Sequence, residues 1–149
     1  MSQRAWLTFA WLLGLAACLV IIEMYFRRTV DGIAYVFEDQ RPELLGPIAS
    51  LYSVHIAGIL GSWFVHPFKP PRARRSAEIV FAIALACTLI WNIGAVYLVG
   101  QRLVWPEQSG TLVNDLSVAK QFGTLFSFLV APVNIYYFGI KTSNPTAPS

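Results

Sequence analysis

Residues Ala5 to Ile22 read AWLTFAWLLGLAACLVII, a run without a single charge. At 1.5 Å per helical residue, about 20 apolar residues cross the roughly 30 Å hydrocarbon layer of a bilayer. A run of this kind commits its stretch of chain to a membrane before any other residue is considered. Arg4 ahead of it and the small Ala16, Ala17 and Cys18 inside it also suit a secretory signal. The apolar stretch is too long for that reading and continues through Leu19 to Ile22, so an uncleaved spanning helix is expected.

Three further segments reach the same length. Leu44 to His66 follows Arg41-Pro42-Glu43, where proline suits a first helical turn and the carboxylate its positive end. A third begins at Ser76-Ala77-Glu78 and stays apolar from Ile79 to Val99, with Gly100 expected to end it. The fourth follows Asn114-Asp115 and runs from about Ser117 to Ile140, with Pro132 expected to kink it. The sequence therefore predicts an all-α integral membrane protein. Its single domain, residues 1–149, holds four transmembrane helices at about 5–25, 44–66, 77–99 and 117–140 in an antiparallel bundle. A flexible tail covers 141–149. The connection between spans two and three is short, and the two on the opposite side are longer. With 56% hydrophobic and 13% charged residues, little chain remains for a soluble domain.

The net charge of +3 does not indicate nucleic acid, because the basic residues collect beside apolar segments, where they act as topology signals. Lys69, Arg72, Arg74 and Arg75 crowd into HPFKPPRARRS. That loop is expected in the cytoplasm, with both termini, although Arg27, Arg28 and Arg41 lie on the opposite face. Trp6, Trp63, Trp105, Tyr25 and Tyr97 fall near span ends, where amphipathic rings settle. Glu23 and Arg27 are spaced for an i,i+4 ion pair at the membrane edge. Lys120 can snorkel from the start of span four. The segment RRTVDGIAYVFEDQRPE has an amphipathic mixture suited to lying in the interface or covering the outer mouth of a bundle.

His55 falls near the middle of the second span, where an imidazole needs a partner on another helix or water. On a helical wheel it aligns with Leu51, Gly58, Ser62 and His66, a small and polar stripe read as an interface. Gly58 with Ser62, and Ala57 with Gly61, have the small-xxx-small spacing that lets helices approach. The other spans contribute Ala10, Gly14 and Cys18, then Thr88 and Asn92, then Thr124, Ser127 and Asn134. Thr88 and Ser127 are expected at about the depth of His55. The polar set is read as hydrogen-bonding glue between helices. The sharper alternative is a proton-sensitive or pore-lining histidine. A third reading has His55 or His66 ligate haem; the two stand about 16 Å apart along one helix, so a bis-His site would need a second copy of the chain.

Catalytic signatures are missing from the sequence. It contains neither a phosphate loop nor GxSxG, HExxH or CxxC, and two Cys and two His at these depths make no zinc set. The Arg/Asn/Glu constellation of membrane glutathione transferases is absent. So is the acid in the middle of span one that marks small multidrug transporters, since Glu23 lies at the span's end. The reading is a non-enzymatic bundle that forms an oligomer in the bilayer, with a channel-like, transport or sensing role. Its alternatives are an accessory subunit of a larger membrane complex and a haem-binding electron-transfer subunit.

Overall fold

Each apolar segment folds as a helix somewhat longer than its hydrophobic stretch, because the polar residues at both ends keep the backbone bonded while their side chains reach toward water. The computed structural model describes residues 3–30, 32–65, 74–105 and 111–139. Helix α1 spans Gln3–Arg27, α2 Arg41–Val65, α3 Arg74–Val104 and α4 Leu112–Gly139. Among the described residues, Gln3–Arg27, Glu38–Gly61 and Glu78–Val104 are long and apolar enough to cross a membrane. The chain is thus a helical membrane protein. Helix α4 begins earlier than hydropathy predicts because Thr111 caps it: its hydroxyl accepts the Asn114 N–H at 3.3 Å. Gly100 does not end α3, which continues to Val104. A Cβ at Gly100 would lie 3.3 Å from Ile21, so this glycine serves packing against α1 rather than a cap.

The helices alternate in direction, but their neighbours are not those of a simple antiparallel bundle. Helix α1 packs on α3 and α2, and α4 packs on α2 and α3, which leaves α2 and α3 on one diagonal. Two of the four contacts are parallel. The C-terminal ends of α1 and α3 meet where the Tyr25 hydroxyl donates to Val99 O at 2.9 Å. Helices α2 and α4 run together, Leu51 against Gly123 and His55 against Ser127. Glycine explains both contacts. A Cβ on Gly14 of α1 would collide with the Asn92 carboxamide of α3, and one on Gly123 of α4 with Leu51 of α2. Consecutive elements are usually neighbours; α1 with α2 and α3 with α4 keep that rule, while α2 and α3 do not, and close glycine contacts add α1 with α3 and α2 with α4.

Between α1 and α2 the amphipathic segment forms a small cap. Strands β1 (Thr29–Val30) and β2 (Ile33–Ala34) pair antiparallel, and Gly32 sits at φ +78°, a conformation that favours glycine. A 3₁₀ turn, Glu38–Gln40, leads into α2. Tyr35 stacks on Tyr25 with centroids 5.9 Å apart, and the Arg28 guanidinium lies 5.4 Å from the Tyr35 ring centre. Tyr25 is therefore a core residue and not part of an interfacial belt; it is fully buried. Glu23 accepts from Arg27 at 3.3 Å and from Arg41 at 3.1 Å, tying the end of α1 to the start of α2. Each of these half-exposed pairs contributes about 0 to 1 kcal/mol.

Candidate functional site: a polar and aromatic centre in the bundle

The middle of the bundle is built from three helices that each place an aromatic ring there. Trp11 of α1 and Tyr52 of α2 are almost wholly buried, and Trp91 of α3 nearly so. The rings enclose His55, which is 4% exposed. Trp11 stacks on the imidazole, with centroids 4.3 Å apart and planes 20° from parallel, and Trp91 meets it edge-on at 5.3 Å. Tyr52 packs edge-to-face with Trp91 at 5.0 Å. Such pairs add about 0.5 to 1.5 kcal/mol each beyond the apolar area they bury.

Hydrogen bonds fix the remaining geometry. The Ser127 hydroxyl donates to Gly123 O at 2.8 Å, so its proton is already used. The imidazole Nε2, 3.1 Å from Ser127 Oγ, must then be the donor, which assigns the Nε2–H tautomer to neutral His55. A second chain of bonds crosses the bundle. The Tyr52 hydroxyl donates to Asn92 Oδ1 at 3.1 Å, and Asn92 Nδ2 donates to Thr88 O at 2.8 Å. With the Tyr52 proton so used, the Cys18 thiol at 3.6 Å is the donor to the tyrosine oxygen. Three donors in this region have no hydrogen-bond partner among the described residues: Trp11 Nε1, Trp91 Nε1 and Thr88 Oγ1.

Of the polar residues singled out from the sequence, His55, Thr88, Asn92 and Ser127 converge on this centre. Thr124 does not; it is exposed, and its hydroxyl donates to Lys120 O of its own helix at 2.8 Å. Ser62 and Asn134 lie in α2 and α4, but their side chains are outside the described residues, as are those of Arg74 and Arg75. His66, Lys69 and Arg72 lie outside them altogether. Gly14 packs inside the bundle, whereas Gly58 and Gly61 are exposed and a Cβ at either would meet nothing within 4 Å. The wheel stripe through His55 therefore divides, with Leu51 and His55 facing inward and Gly58 outward.

A haem does not fit His55 in this chain. Trp11 covers one ring face, Trp91 abuts the ring, and Nε2 is held by Ser127. Ligation through Nε2 would break the Ser127 bond and need space beside an imidazole that is 4% exposed. Among the described residues, no three His, Cys, Asp or Glu side chains form a metal-binding group. The arrangement can hold helices in one rotation about their axes. The chain matches no protein-family model, no curated protein and no solved structure.

Trp11, Tyr52 and Trp91 were not singled out from the sequence. The available signal was their depth: aromatic rings favour the interfaces of a span, so a tryptophan well inside one implies a place in the bundle. A second feature, of which the sequence reading caught only Ala57 with Gly61, lies on the opposite side of α2. Gly46, Ala49, Ser50, Ser53, Ala57 and Gly61 are all exposed. At 100° per residue they share an arc of about 120°, centred almost directly opposite His55.

Proposed function

We propose that this protein is a non-enzymatic four-span membrane bundle that works by side-by-side assembly in the bilayer, its small-residue α2 face against the same face of a second copy. The observation that carries this reading is the contrast between outward surfaces. Helix α1 presents Phe9, Leu12, Leu13, Val20 and Met24, α3 presents Ile83, Ile90 and Ile93, and α4 presents Val118, Leu125 and Phe128. Bulky apolar side chains of this kind suit lipid. The outward arc of α2 is richer in small residues, Gly46, Ala49, Ser50, Ser53, Ala57 and Gly61 at three- and four-residue spacing with Leu60 among them and Val54 at its edge, and such spacing favours close backbone contact between membrane helices. Helix α4 is taken as the fourth span, since it packs between α2 and α3 and exposes Val118, Phe122, Leu125 and Phe128, with Lys120, Gln121 and Thr124 among them in its first half. Because His55 is closed off within the monomer, any conduction would run between copies and not through one chain.

Disulfide trapping in membranes tests assembly. With Cys18 and Cys87 replaced, a cysteine at Ala57 should form cross-linked dimers, and one at Leu13 on the lipid-facing side of α1 should not. Gly61→Leu should weaken association about tenfold or more, since overpacking costs about 1 to 3 kcal/mol and 1.4 kcal/mol is tenfold. Its thermal unfolding should match that of the parent. A chain that stays monomeric alone but is trapped through residue 57 to another protein in native membranes would replace self-assembly with the subunit reading. Trapping at neither position would remove both.

The basic stretch from Lys69 to Arg75 supports placing the α2–α3 connection, and with it both termini, in the cytoplasm. A cysteine at Arg74 should react with a membrane-impermeant maleimide only after the cytoplasmic side is opened. Reaction in sealed cells would reverse the orientation.

A further inference from the structure

Copies of one chain lie in a bilayer in the same orientation. Two copies that meet through the same face of α2 are therefore related by an axis along the membrane normal, with their α2 helices parallel and like residues facing each other. Along that face the exposed positions Glu43, Gly46, Ser50, Ser53, Ala57 and Leu60 follow one another at alternating intervals of three and four. This is the 3.5-residue repeat that keeps one seam of a helix against a parallel partner. All but Glu43 are small or apolar. Glu43 is an acid in the first turn of α2, and it holds the same seam position as Ser50 and Ala57 further along. Parallel pairing through this seam sets the Glu43 carboxylate of one copy opposite that of the other.

Among the described residues no basic side chain pairs with Glu43. Asp39, one turn earlier, carries the same charge. Arg41 is shared between Glu23 and Glu38, and Arg27 also pairs with Glu23. At the same end of α4, Asp115 is held by Arg102. Lys120 of α4 stands three residues before Gly123, which faces Leu51, so it falls level with Ile48, more than a turn deeper in the span. The positive end of α2 favours a carboxylate. It does so in one copy as in two, and leaves the repulsion across the seam in place. We infer that Glu43 makes association through the α2 seam proton-dependent: two ionised copies repel, and protonation lets the seam close. The inference rests on the α2 face being the assembly surface. Association then takes up protons, so it is strongest in acid and weakens as the pH rises through the carboxylate range. With the α2–α3 connection in the cytoplasm, the pH that matters is that of the opposite side.

The experiment measures energy transfer between donor-labelled and acceptor-labelled full chains in phosphatidylcholine vesicles with the same buffer on both sides, over a range of protein-to-lipid ratios. Association is compared at about pH 4, where ordinary glutamates are substantially protonated, and at about pH 7, where they are ionised. The wild type should associate about tenfold more tightly at the lower pH, the order expected for two unit charges facing each other at a partly wet membrane edge. Glu43→Gln keeps the size and hydrogen-bonding capacity of an exposed side chain and removes its charge. It should associate at both pH values as tightly as the wild type does in acid, and Asp39→Asn should keep most of the wild-type dependence. Equal wild-type association at the two pH values would overturn the inference and leave the assembly surface standing. So would a dependence that survives unchanged in Glu43→Gln, or one that disappears in Asp39→Asn alone. Absence of association at either pH would overturn the assembly surface itself, and this inference with it.

Discussion

Replacing Asp115 by alanine will destabilise the protein by about 3 kcal/mol, the low end of what a broken buried ion pair loses. Asp115 stands in the first turn of α4 and pairs with Arg102 in the last turn of α3. The two side chains are only 14% and 4% exposed. Attraction in such a site is offset by the cost of taking both ions from water, so the intact pair adds little. Removing one partner is different, because the Arg102 guanidinium remains buried with its counter-charge gone. The low end applies because the pair lies near the end of the bundle, where water can relax the stranded charge. The damage should spread to the cap, since Arg28 donates to the Arg102 carbonyl at 3.2 Å and Tyr35 also interacts with Arg102. Asp115→Asn, which keeps an acceptor without the charge, should fall between wild type and Asp115→Ala. The double change Arg102→Met with Asp115→Leu should recover most of the loss. Denaturant unfolding in detergent micelles measures all four proteins. A loss below about 1 kcal/mol in Asp115→Ala would class the pair with exposed ion pairs and contradict the burial argument.

Sequence patterns encode position along a membrane helix much better than rotation about it. The four helices were legible because apolar run length counts residues directly against bilayer thickness. The ends moved by a few residues where a cap or a packing glycine intervened, at Thr111 and Gly100. Depth was legible for one pair: Ser127 lies level with His55 and bonds its imidazole. Rotation was not, because a span apolar on every side has almost no amphipathic signal to orient it. Gly58 therefore read as part of the His55 stripe, while the structure turns it outward. Neighbour relations were hidden for a related reason. That α1 lies beside α3 depends on Gly14 meeting Asn92, a contact between two residues that look unremarkable in their own segments. Trp11 and Trp91 were obscured because tryptophan is common at both interfaces and cores, and only its depth distinguishes the two.

The same substitution should have opposite signs at two kinds of glycine. In a helix interior, alanine is favoured over glycine by about 0.8 to 1.0 kcal/mol, so Gly→Ala is stabilising wherever the new methyl group has room. Gly58 has that room, and Gly58→Ala should leave the fold unchanged or raise its stability by up to about 1 kcal/mol. At Gly14 the methyl would enter the space of the Asn92 carboxamide, with the Tyr52 hydroxyl 3.0 Å away. Asn92 cannot simply turn aside, because it accepts from Tyr52 and donates to Thr88 O, and moving it leaves buried polar groups without partners. Overpacking at about 1 to 3 kcal/mol and a broken hydrogen bond at about 1 to 3 kcal/mol together exceed the helix-propensity gain. Gly14→Ala should therefore destabilise by about 2 to 4 kcal/mol, and pairing it with Asn92→Ala should recover part of the loss by making room. Gly123→Ala is the milder control, since the atom in its way belongs to the flexible Leu51 side chain. Unfolding free energies for Gly14→Ala, Gly123→Ala and Gly58→Ala should rank in that order of damage. Equal stability for Gly14→Ala and Gly58→Ala would mean that α1 and α3 do not meet at Asn92, and the parallel α1–α3 contact would have to be abandoned.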